Sequence, residues 1–148
     1  MLRLVMTAVV GAIGLAEGFG FTIASPVAAQ DFQVKSAAFV FRAERCAQPT
    51  QLEVSGTAEG LVDGRRQSVA VKVMTSSKPG VYAVPPSWPA HGNWVVSLKG
   101  TCAGERAGAI VPIGDQGFIR ESTKFFSRPA TDAEIGEALT ALARSTQR

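Results

Sequence analysis

Between residues 52 and 73 apolar and polar residues alternate with a period of two. No other feature restricts the chain as much, because this alternation is what an extended strand with one buried face requires. Leu52, Val54, Gly56 and Ala58 fall on one side, and Glu53, Ser55, Thr57 and Glu59 on the other. After Val62-Asp63-Gly64-Arg65, whose Asp-Gly pair favours a tight hairpin turn, the pattern resumes with Val69, Val71 and Val73 against Ser68, Ala70 and Lys72. The two runs predict a hairpin. Trp94, Val96 and Leu98 alternate with Val95, Ser97 and Lys99 to predict a further strand, after which Gly100 begins a turn that carries Cys102. Residues 107–113 are apolar on both faces and predict a strand covered on both sides. Phe39 and Phe41 share one face of an opening strand expected over about 33–43, and 118–126 predicts an edge strand or extended arm. Short strands divided by Gly, Pro and Asp turns predict an all-β, antiparallel two-sheet sandwich.

One helix is predicted at the end. Thr131-Asp132-Ala133-Glu134 is a capping box, in which the Thr131 hydroxyl accepts from the amide of Glu134 and the Glu134 carboxylate returns to the amide of Thr131. The helix is expected over 131–145, with Ile135, Ala138, Leu139 and Leu142 as its apolar stripe. Asp132 and Glu134 near the start and Arg144 near the end suit its dipole. The expectation is a helix that covers one end of the sandwich. The alternative, a helix offered to a partner, rests on the same short stripe.

The amino terminus sets the compartment. Arg3, the uncharged run 4–15 and the small residues Val27-Ala28-Ala29 form an export signal, expected to be cut after Ala29. An uncleaved membrane anchor over 4–29 would hold Glu17 near its middle, at a cost of roughly 2.5–3.5 kcal/mol, and Gly11, Gly14, Gly18 and Gly20 weaken such a helix further. A lipid anchor needs a cysteine at the cut, and the first is Cys46. The expected mature chain therefore holds one sandwich domain over 30–130 and the helix, in a periplasm or outside the cell. The leader takes with it one basic and one acidic residue, Arg3 and Glu17, so the net charge stays +3. The remaining basic residues are scattered, which argues against nucleic acid as a partner. Apolar content of 46% argues against disorder. Cys46 and Cys102, the only cysteines, are expected to form a disulfide worth about 4 kcal/mol. A redox pair would favour C-x-x-C spacing, and a zinc site wants four ligands where two cysteines and one histidine supply three.

Residues 81–96 read VYAVPPSWPAHGNWVV, a strand end, a Pro-rich corner and then Gly92 before Trp94. This resembles the Trp-Pro-x-x-Gly-x-Trp corner of small exported immunoglobulin-like sandwiches, including YtkA-like and CopC-like domains, over about residues 51–113. The resemblance implies an immunoglobulin-like β-sandwich, with metal handling or accessory roles behind it. The chain departs from the copper-carrier pattern, which places a histidine near the mature amino terminus and adds further His, Asp or Met ligands. Here that terminus is Gln30-Asp31, His91 is the only histidine, and Met74 is the only methionine beyond the leader. It also departs from antibody-type domains. No tyrosine stands two residues before Cys102, and a Cys46–Cys102 bond is expected to pin an edge or end of the sandwich rather than its centre.

Tyr82, Trp88 and His91, with Trp94 and set among Pro79, Pro85, Pro86 and Pro89, are the candidate ligand-binding residues. Aromatic faces on a stiff corner stack on sugar rings or peptide groups with little ordering cost. The competing reading makes Trp94 core, folds Trp88 over the end of the sandwich and leaves His91 in a solvated turn. Serine-type catalysis would have to use His91, and neither a Gly-x-Ser-x-Gly elbow, a phosphate-binding glycine loop nor an H-E-x-x-H motif is present. Glu53, Glu59, Asp63, Glu105 and Asp115 fit solvent faces or turns as well as a carboxylate pair. No catalytic residue, metal site or cofactor is expected. The sequence thus predicts an exported, non-catalytic binding or accessory domain whose partner is another envelope or secreted protein or a small ligand. The alternatives are a small periplasmic copper carrier and, third, an enzyme or inhibitor acting on exported substrates.

Overall fold

The computed structural model describes residues 18–26 and 32–147. The expected uncharged signal run at 4–15 and the expected cut after Ala29 lie outside the described residues. Two antiparallel sheets face each other. The smaller has the order β1 (Gly20–Ala24), β2 (Phe39–Glu44), β6 (Val81–Val84) and β5 (Met74–Thr75). The larger has the order β10 (Lys124–Phe126), β8 (Glu105–Gly114), β7 (Asn93–Cys102), β3 (Glu53–Val62) and β4 (Arg65–Ala70), with β9 (Gly117–Phe118) also paired to β8. In chain order these are strands A-B-E-D opposite G-F-C-C′, the immunoglobulin arrangement. The all-β, antiparallel two-sheet sandwich agrees with the sequence expectation.

The alternation places the core where it was predicted. Phe39 and Phe41 of the small sheet meet Ala58, Trp94, Val96, Leu98, Ala107, Ala109 and Val111 of the large one, all buried. The β3–β4 hairpin turns at Asp63 and Gly64, both with positive φ, so that Val62 pairs with Arg65. From β4 the chain passes through 71–73 directly into β5, and so changes sheets along one edge. The Val71 amide still donates to the Gly56 carbonyl on the way, at 3.1 Å.

Three elements differ in detail from expectation. The opening strand begins only at Phe39, because a helical turn, α1 (Phe32–Lys35), precedes it. Val34 and Ala37 have the i, i+3 spacing of a helix face and cover Ala83 and Val40 on the outer side of the small sheet. Residues 118–126 are not one strand: β9 and β10 are separated by a 3₁₀ turn over Arg120–Ser122. The helix α2 (Asp132–Thr146) has the predicted cap and the predicted buried stripe. It lies on the outer face of the large sheet, over Val95 and Ile110, rather than across an end. Burying β7 and β8 from both sides explains why Val95 occupies what the period-two pattern marks as a polar position.

The disulfide is present as expected. Cys46, just past β2, is bonded to Cys102 at the end of β7, so it ties the two sheets together at one end of the sandwich. At the other margin of the small sheet, β1 pairs with β2 from Gly20↔Glu44 to Ala24↔Val40 and buries Phe19, Phe21 and Ile23. This strand falls within the segment that the leader reading assigns to removal.

Candidate functional site

The Pro-rich corner forms the loop 85–92 between β6 and β7, and its far end is fixed by packing against β3. The Trp94 indole lies over Gly60, where an added Cβ would stand 2.5 Å from the ring, and its Nε1 donates to the His91 carbonyl at 2.9 Å. Gly92 has φ +91°, and a Cβ there would come within 2.8 Å of Val62 and 2.9 Å of the Leu61 carbonyl. Both the backbone conformation and the close approach require glycine. The main chain at 91–94 is thereby held against the end of β3. The His91 side chain is exposed and Trp88 is half-buried against the main core.

Tyr82 has a different setting. Its ring stacks on Phe41 across the β2–β6 pair, with centroids 5.3 Å apart and planes 22° apart. Trp88 and His91 therefore share one loop, while Tyr82 is turned towards the sandwich interior in the strand before it. Trp94, 3% exposed, is core. No family model, curated protein or solved structure matches this chain.

The carboxylates of the sequence analysis are dispersed. Glu59 accepts from the hydroxyls of Thr57 and Ser68, both at 3.0 Å, and faces Arg66 at 3.7 Å. Arg66 also bonds Asp132 at 2.9 Å, which links the β4 edge to the start of α2. Asp63 is in the hairpin turn, Glu105 opens β8 and Asp115 lies in the turn between β8 and β9. Among the described residues no group of three or more His, Cys, Asp or Glu side chains is placed to hold a metal ion. Among them, too, no helix is long and apolar enough to cross a membrane.

The best-defined ionic contact is at the start of α2. Arg128 bonds both oxygens of Glu134, at 2.7 and 3.1 Å, and Glu134 also accepts from the Thr131 amide at 2.9 Å. These bonds, that of Arg128 first, hold the Glu134 carboxyl down to about 2. A cleft of about 290 Å³ runs beside this helix, with Pro112, Ile119, Ala138 and Leu142 as its apolar lining and Glu121 and Lys124 as its charged one. On the larger sheet a more open hollow of about 340 Å³ is lined by Glu53, Ser55, Lys99, Thr101 and Arg106.

The sequence reading missed the seat of β1. Its signal was legible as Phe19, Phe21 and Ile23 alternating with Gly20 and Thr22, the same period that marks the other strands. The leader assignment absorbed it.

Proposed function

We propose that this chain is an exported binding or accessory domain, without catalytic activity, that recognises another envelope or secreted protein or a small ligand through the 85–92 loop. The observation that carries the reading is that Trp88 and His91 stand on a loop stiffened by Pro85, Pro86 and Pro89 and tied down by the Trp94–His91 bond. A pre-ordered loop loses little entropy on binding, and recognition on sandwich folds is commonly carried by loops at the sheet ends. The Cys46–Cys102 disulfide supports an oxidising compartment, hence a periplasmic or secreted location.

Native mass spectrometry on protein gently released from the exported fraction tests this reading. The expected spectrum shows a chain starting at Gln30, lighter by two hydrogens than the reduced form, with an associated ligand or chain. Trp88→Ala is expected to remove the associated mass while leaving the circular dichroism spectrum unchanged. A bare chain in both samples would overturn the reading. Stoichiometric copper or zinc that is lost on His91→Ala would replace it with the metal carrier.

A further inference from the structure

At the free margin of the small sheet, β1 fills a slot that is shaped in detail around its side chains. Gly100 of β7 lies opposite, where an added Cβ would stand 2.7 Å from the Phe21 ring and 3.1 Å from that of Phe19. Phe21 meets Phe19 and Phe41 edge-on, at 5.5 and 5.6 Å between centroids. The Arg45 side chain donates to the Gly18 carbonyl at 2.8 Å. From the facing sheet, β8 and β10 approach β1 across the interior. Phe125 on β10 pairs with the core residue Ala109, so it stands on the inner face at this open margin, and it is 54% exposed.

We propose that this slot is a strand-acceptor groove whose working occupant is an extended segment of a partner protein. That segment runs antiparallel to β2 and carries aromatic side chains at two alternate positions and an aliphatic one at the next. The proposal goes beyond the loop reading above and rests on its export part alone, because a cut after Ala29 separates β1 from the domain. The edge of β2 and the places of Phe19, Phe21 and Ile23 are then left to be filled. Every processed copy loses the same strand, which points to a different protein as donor rather than a second copy. An open edge is a template for pairing; in strand addition main-chain bonds supply affinity and alternate side-chain pockets supply specificity. Phe125 at the same margin extends the apolar surface that a donor strand would meet.

The test uses the full chain with a specific protease site placed between Ala29 and Gln30 and nicked after purification. Two fluorescent peptides are offered: residues 18–26, and the same peptide with Ser in place of Phe19, Phe21 and Ile23. The nicked protein is expected to take up one native peptide per domain, with the serine version weaker by more than about 100-fold. Uptake is expected to protect the amides of β2 from hydrogen exchange. A Thr22→Cys/Arg42→Cys chain, whose new disulfide fixes β1 on β2, is expected to take up neither peptide. Should the domain unfold once the 1–29 fragment leaves, refolding by the native peptide alone equally supports the groove. Equal uptake of both peptides overturns it, as does no uptake or refolding after the fragment has left. An exported protein that starts upstream of Gly18 also overturns it, while leaving the 85–92 loop to be tested by Trp88→Ala. Conversely, loss of the loop reading does not alter peptide uptake.

Discussion

Gly60 shows how far one missing methyl group shapes this protein. The Trp94 indole occupies the volume that a Cβ at position 60 would need, and through its bond to the His91 carbonyl it also fixes the loop that carries the candidate binding residues. Gly60→Ala is therefore expected to push the indole off its rotamer, costing about 1–3 kcal/mol by overpacking. The urea midpoint should fall with the slope unchanged, accompanied by a shift in tryptophan emission. At this scale the sequence was partly legible. Trp94 could be recognised as core because it begins an alternating strand. Tyr82 could not be assigned to Phe41, since the partner lies in another strand and the contact depends on the β2–β6 register. Trp88 and His91 fall in one Pro-rich loop by sequence alone, whereas the half-burial of Trp88 depends on core surfaces brought near it only by folding.

Among the elements, α2 was the most legible and the least well placed. Thr131, Glu134 and the four apolar positions specify its start and buried face through contacts within one or two turns, so local sequence suffices. Which surface receives that face is a long-range matter, hinted at only by the apolar residues Val95 and Ile110 on the far sides of their strands. The four-residue α1 is too short to announce a period at all. The cap of α2 should respond to acid. Because the Glu134 carboxyl is held down to about 2 from an ordinary 4.5, its contribution is fully present above 4.5 and is lost as pH falls from there towards 2. Titrating the Glu134 side chain by NMR should give a midpoint near that depressed value. Glu134→Gln should remove the part of the acid dependence of α2 unfolding that lies between those two pH values.

Over the whole molecule, the cysteine pair gave the clearest long-range information the sequence held, since the chain's two cysteines leave one intramolecular pairing. The bond links the same two strands, B and F, that an antibody-type domain links, but at their ends. Its 56-residue separation predicts that replacing both cysteines by alanine removes about 4 kcal/mol of stability. Comparing thermal unfolding of that variant with the oxidised protein checks the value, and an unchanged melting temperature would refute it. The passage of the chain from β4 into β5 has a mechanical consequence of its own. It stitches one long margin of the sandwich like the spine of a book, because β4 and β5 are the outermost strands of their sheets on that side. Among the described residues the opposite margin, between β1 and β10, has no such stitch. With the Cys46–Cys102 bond clasping the covers at one end, an opening about the spine can part them only towards the other end of the fore-edge, so the fold itself decides where its interior can be reached.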